Sequence, residues 1–214
     1  MMHSPRSVPE SLLVLMGDIF PTGYFCASRF LKPMPAEQAR KTVVAVVGCG
    51  PVGICAIAAA LTWSETVYAI DLIPQRLAEA AKIGAIPLAL TDNPATAIRA
   101  ATDGRGADLV LEVVGGRKPF DLCVDLIRPF GTISSVGVQT EDLVLNGPTM
   151  HGKNVKMEFG RCPVYGIFEE SLACLEKVQD KVSFLCDEVM SLDNATEAYR
   201  LFDARKVHKV ILIP

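Results

Sequence analysis

Residues 42–62 constrain the fold more than any other stretch of this chain. The run 42–47 reads TVVAVV, and apolar continuity without alternation marks a strand buried on both faces, as in a parallel sheet covered by helices. Glycines interrupt it at once in Gly48-Cys49-Gly50-Pro51-Val52-Gly53, and residues 51–62 then read as a helix with scarcely a polar side chain. The order strand, glycine turn, apolar helix predicts the opening of a wound α/β sheet.

The rest of the chain keeps that rhythm. Short β-rich runs at 66–70, 86–90, 107–114, 131–138, 155–159 and 209–213 alternate with helical patterns. One helix runs from Pro74 to near Gly84, one from Asn93-Pro94 to Ala101, and others cover 168–178 and 195–202. Phe120, Cys123, Val124 and Ile127 recur at i, i+3, i+4 and i+7, the buried stripe of a further helix. The expected fold is α/β, a Rossmann doubly wound parallel sheet over residues 37–214. Residues 1–36 differ, because turns at Pro21-Thr22-Gly23 and Pro33-Met34-Pro35 are expected to break any long element. They read as a lead-in, or the remnant of another domain.

Charge narrows the partners. With 21 basic against 24 acidic residues and a net charge of −3, no excess positive field exists to hold nucleic acid or an anionic membrane. Apolar stretches such as 54–61 fall short of the roughly 20 residues a bilayer span needs. The N-terminal stretch has one arginine, Glu10 and a short apolar run at 12–16, a poor secretory or transit signal. Cytoplasm is the expected compartment. Seven irregularly spaced cysteines, several within apolar segments (Cys55, Cys123, Cys174), are expected to be reduced.

The glycine turn fits G-x-G-x-x-G between a strand and a helix, the context that gives the pattern its value. There the first Gly makes a tight turn, the second lets backbone approach a pyrophosphate, and the third permits close helix packing. The helix start aims unpaired N–H groups and a positive dipole end at the anion. Asp71, about 20 residues further on at the end of the next strand, suits the hydroxyls of an adenosine ribose and repels a 2′-phosphate. Leu72 and Ile73 follow it without a cation, so NAD is the expected cofactor. A cap on the Pro74 helix is the alternative for Asp71, and both roles can coexist. Arg76 lies one turn on, beside the ribose or simply solvated.

On these residues the sequence resembles the zinc-type alcohol dehydrogenases of the medium-chain superfamily, from about Met16 onward. The resemblance rests on Asp18-Ile19-Phe20-Pro21-Thr22-Gly23-Tyr24, the turn Gly48 to Gly53, the segment from Asp71 to Leu77, and Val136-Gly137-Val138. It is especially similar to the branch of formaldehyde and polyol dehydrogenases, where D-I-x-P-T-G supplies an aspartate. The resemblance implies hydride transfer between an alcohol and NAD. It makes Asp18 a ligand of catalytic zinc, sets Thr22 beside the nicotinamide, and gives Gly50 and Val52 to the pyrophosphate and Asp71 with Arg76 to the ribose. Val136, Gly137 and Val138 would meet the carboxamide, with Phe159 and Gly160 near the same ring, and Lys209 would neutralise phosphate. Residues 154–159 would form an edge strand pairing across a two-fold axis, implying a homodimer.

Departures from the family are as informative. Its members carry an upstream substrate domain with a Cys and a His-Glu pair for catalytic zinc, and often four cysteines for a second zinc; neither set is expected here. Three protein ligands are needed for catalytic zinc, and Asp18 provides one. His3, His151 and His208 are scattered and read as ordinary polar residues. The first reading is therefore the cofactor half of an NAD-dependent alcohol dehydrogenase acting on an alcohol or aldehyde. A second is a non-catalytic NAD-binding module that senses the dinucleotide or pairs with a full-length relative. Against a third, a zinc-free quinone or enoyl reductase, stand the glycine pattern and Asp71.

Overall fold

The computed structural model describes residues 7–214, so His3 lies outside the described part. Strand β1 (Val43–Val47) is buried at all five positions. Its side chains alternate between two cores: Val44 and Val46 enter one, Val43, Ala45 and Val47 the other. Around it lie β2 (Thr66–Asp71), β3 (Ile86–Ala89), β4 (Ala107–Glu112), β5 (Ile127–Ser135) and β6 (Lys156–Phe159). All pair in parallel in the order β3-β2-β1-β4-β5-β6. That order reverses between β1 and β4, and the crevice outside the carboxyl ends of a sheet at such a reversal is where ligands bind.

Helices cover both faces. On one side α2 (Ile19–Leu31), α4 (Pro51–Ala60) and α9 (Phe168–Val182) share the larger core; on the other α6 (Pro94–Ala101) and α7 (Arg117–Leu126) cover the smaller. The short helices α1 (Glu10–Leu13), α3 (Ala36–Lys41) and α8 (Gly147–Lys153) and the helix α5 (Pro74–Lys82) connect these layers. A separate parallel pair, β7 (Glu188–Ser191) and β8 (Val210–Ile213), is bridged by α10 (Ala195–Asp203). Among the described residues no single helix is long and apolar enough to cross a membrane.

The N-terminal segment corrects the sequence reading. Helix α2 runs unbroken through Pro21-Thr22-Gly23, and ten of its thirteen residues are buried, which makes it a core element. Pro21 sits in the first turn, where its missing N–H removes no helical bond. Gly23 faces α4 so closely that a Cβ there would stand 2.6 Å from Ala56 N and 2.7 Å from the Val52 carbonyl oxygen. The glycine is thus a contact point between helices. A proline and glycine pair that reads as a turn in isolation is here a helix start followed by a packing notch.

Two strand ends also move. Strand β4 stops at Glu112 and β5 at Ser135, so Val136, Gly137 and Val138 lie just beyond the strand, the first two donating N–H to Glu112 O at 2.9 and 3.2 Å. Strand β7 and helix α8 have no counterpart in the sequence reading. Neither buries a residue fully, so no hydrophobic period marks them.

Candidate functional site

The three glycines of the turn meet three different constraints. Gly48 has φ +99°, the region that favours glycine, and a Cβ there would lie 2.4 Å from Val114 Cγ2. At Gly53 a Cβ would come within 2.0 Å of the Gly48 carbonyl oxygen, because α4 and β1 meet at that point. Gly50 is open: its nearest neighbour is Arg76 Nη1 at 3.7 Å. Helix α4 begins at Pro51, and its first bond to the turn is Ile54 N to Gly50 O at 2.9 Å. The N–H groups of Val52 and Gly53 belong to the first turn, which has no intrahelical acceptor, and stand with the positive dipole end toward the open side.

Asp71 ends β2 and is bonded on both oxygens. Oδ2 accepts from Cys49 N at 2.7 Å, in the middle of the glycine turn, and Oδ1 accepts from Ile73 N at 2.9 Å. The carboxylate therefore steadies the turn and the entry to α5, two residues ahead of the cap position Ile73; no side chain caps α5 itself. Arg76 Nη1 stands 3.9 Å from Asp71 Oδ2. Burial, with the negative Asp71 next in effect, pushes the Cys49 thiol well above its ordinary range and keeps it neutral. Together these groups border a cavity of about 580 Å³, whose walls include Gly50, Val52, Asp71, Arg76, Lys118 and Arg205. Its size falls within the range of small-molecule and cofactor sites.

At the far side of the switch point, Glu112 organises the ends of β4 and β5. It is wholly buried, and four donors meet its carboxylate. Val114 N and Gly115 N reach Oε1 at 2.7 and 2.6 Å, while Ser135 Oγ and Gln139 Nε2 reach Oε2 at 2.6 and 3.2 Å. Gly115 (φ +87°) and Gly137 interlock there: a Cβ on Gly137 would stand 2.2 Å from Gly115 N, and one on Gly115 2.1 Å from Val138 O. The sequence reading passed over Glu112. Its signal was the second acid of the run 107–114, set among Leu111, Val113 and Val114 shortly before two glycines. Phe159 packs its ring on Phe120 at 5.9 Å, and Gly160 N donates to Ser135 O at 3.2 Å.

The remaining predicted residues divide. Thr22 Oγ1 donates to Asp18 Oδ1 at 3.1 Å at the start of α2. Cys162 lies beside this pair, its thiol pushed up to about 11 by burial and, less, by Asp18, against a lowering bond from Thr22. Among the described residues no group of three His, Cys, Asp or Glu side chains is arranged to hold a metal. His208 is engaged with Glu79, Nε2 to Oε2 2.7 Å, and His151 is exposed on α8. Lys209 does not line the cavity; its ammonium lies 5.7 Å from the centroid of the Phe202 ring, and Arg205 lines the cavity instead.

Similarity to known proteins agrees with this geometry. The zinc-type alcohol dehydrogenase B of Aspergillus flavus is 44% identical over 214 residues, covering 98% of this chain and 50% of that protein. A medium chain reductase/dehydrogenase of Acremonium is 45% identical over 139 residues, covering 63% of this chain and 48% of that protein. The chain thus spans about half the length of these relatives. Among solved structures, alcohol dehydrogenase TADH from Thermus sp. ATN1 superposes with a TM-score of 0.90 at 31% identity, covering all of this chain and 61% of that one. An alcohol dehydrogenase from Thermotoga maritima, 24% identical with a TM-score of 0.91, shares the fold. The profile of the family described as zinc-binding dehydrogenase matches residues 51–177, and this chain belongs to that family.

Proposed function

We propose that this chain is the cofactor-holding half of an NAD-dependent dehydrogenase that moves hydride between an alcohol carbon and nicotinamide, with a small alcohol or aldehyde as substrate. One arrangement carries the reading: the Cys49–Asp71 bond fixes an open glycine cradle beside a carboxylate at the tip of β2. The open face of Gly50 leaves room for a pyrophosphate, toward which the first-turn N–H groups of Val52 and Gly53 donate. Asp71 has lone pairs left after its two backbone bonds, and these accept the adenosine ribose hydroxyls. Arg76 closes the same end. The backbone of Val136, Gly137 and Val138, held by Glu112, faces the carboxamide, and Thr22 lies on the ring side. Nicotinamide, when bound, supplies the hydride acceptor.

NAD rather than NADP is proposed because Asp71 repels a 2′-phosphate and neither Leu72 nor Ile73 offsets it. Within the family, the motif Asp18-Ile19-Phe20-Pro21-Thr22-Gly23 favours the formaldehyde and polyol branch. Zinc is another matter. Asp18 is one oxygen ligand hydrogen-bonded to Thr22, whereas catalytic zinc takes three protein ligands, so these residues do not hold it by themselves. A homodimer fits the open edge of β6, which pairs with β5 on one side only. The dehydrogenase names of the relatives speak for an enzyme and lend nothing to a non-catalytic sensor.

Titrating the purified chain with NADH and following nicotinamide fluorescence tests the proposal. Saturable binding that free NAD displaces is expected; a flat titration overturns it.

A further inference from the structure

We infer that Arg205, carried on the strap between α10 and β8, is a ligand for a phosphate group of the bound dinucleotide, and that His208 and Glu79 bolt this strap in position. The inference rests on the dinucleotide reading above and adds a binding residue to it.

The strap is made by the way α10 ends. Ala204 N donates to Arg200 O at 3.0 Å, Arg205 N to Phe202 O at 2.9 Å and Lys206 N to Leu201 O at 3.0 Å. These bonds close the last carbonyls of the helix and reverse the chain. Arg205 takes φ +56° in that reversal, a left-handed position where glycine is the usual residue. Its side chain is thereby brought to the mouth of the cavity that Gly50, Asp71 and Arg76 line. Among the described residues its guanidinium has no carboxylate partner, so its donors are available to a ligand.

The anchor lies three residues on. His208 Nε2 stands 2.7 Å from Glu79 Oε2, with both side chains largely buried, and the His208 ring meets the Phe184 ring edge-on at 5.7 Å. Glu79 follows Arg76 by three residues on α5, so strap and cradle share one helix. Three cations, Arg76, Lys118 and Arg205, then border the cavity against a single carboxylate, Asp71, which its backbone bonds already occupy in part. That surplus suits an anion of two charges. A guanidinium also suits phosphate geometry better than an ammonium does, because its planar fork donates two parallel bonds. Lys209, over the Phe202 ring, does not line the cavity.

The test compares the full chain with Arg205→Ala, Arg205→Lys, His208→Ala and the double variant Arg205→Ala/His208→Ala, titrated with NADH, NADPH and adenosine by calorimetry. Arg205→Ala is expected to weaken a phosphate-bearing ligand about tenfold, as loss of a charge-assisted bond does, with adenosine unchanged and partial recovery in Arg205→Lys. Equal losses for NADH and NADPH assign the pyrophosphate; a loss confined to NADPH assigns the 2′-phosphate. Unchanged affinity for both dinucleotides, or an equal loss for adenosine, overturns the role of Arg205. His208→Ala is expected to weaken NADH several-fold and to add nothing to Arg205→Ala, since it acts through the strap; additive losses overturn the anchor. Should the unsubstituted chain bind neither dinucleotide, the reading of the crevice falls, and this inference with it.

Discussion

Asp71 Oδ2 accepts a 2.7 Å hydrogen bond from the N–H of Cys49, and this one contact joins the tip of β2 to the middle of the glycine turn. The carboxylate proposed to select the sugar thus also fixes the glycine turn proposed to hold the diphosphate. Asp71→Ala is therefore expected to cost NADH affinity by about ten- to a hundredfold, as the loss of charge-assisted bonds does. NADPH is expected to lose much less, because removing the carboxylate also removes its repulsion of the 2′-phosphate. Equal losses in parallel titrations would sink the ribose assignment.

Gly50 and Gly53 separate binding from folding. Gly50 faces open space apart from Arg76, so Gly50→Val is expected to leave the thermal midpoint nearly unchanged while abolishing NADH binding. Gly53→Ala forces a Cβ within 2.0 Å of the Gly48 carbonyl oxygen, and a loss of about 3 kcal/mol or more in folding stability is expected. Denaturant curves read beside NADH titrations distinguish the two.

The carboxylate of Glu112 is enclosed by four donors and no cation lies among them. Glu112→Gln turns an amide NH₂ toward at least one of these N–H or O–H groups and leaves it unpaired. A cost of about 2 kcal/mol in stability is expected, seen as a lower urea midpoint. Because the proposed function puts the loops that Glu112 holds on the nicotinamide side, NADH affinity is expected to fall more than that of ADP-ribose.

Alkaline pH is expected to unfold the chain through its buried thiols and Tyr24. Burial raises Cys26 to about 12, Cys174 and Cys186 to about 11, and Tyr24 to about 12. Their folded values lie above their unfolded ones, so the native state holds protons that the unfolded chain releases. Stability is thus complete below the ordinary thiol value of 9.0 and declines as pH climbs toward 12. Melting temperatures from pH 7 upward check this, and a flat profile to about pH 11 would contradict it.

The sheet and the cradle were legible because β1 and the glycine turn are local signals: a continuous apolar run, then glycines with the right neighbours. Asp71 was legible by its distance from the turn. Other parts depend on partners far along the chain. Pro21 and Gly23 read as a turn until α4 supplies the surface against which Gly23 is needed. Glu112 reads as an interruption until Ser135 and Gln139 arrive to satisfy it. Arg205 and Lys209 are both cations near the last strand, and only the helix end at Asp203 decides which of them reaches the cavity.

Where a side chain is missing at residue 23, the Val52 carbonyl oxygen occupies the volume. The helix that starts beside Asp18 and Thr22 is thereby keyed to the first turn of α4, with a hydrogen atom as the spacer. A methyl group inserted there would push the two helices apart, so the spacing between the Asp18–Thr22 pair and the glycine turn is gauged by an omission.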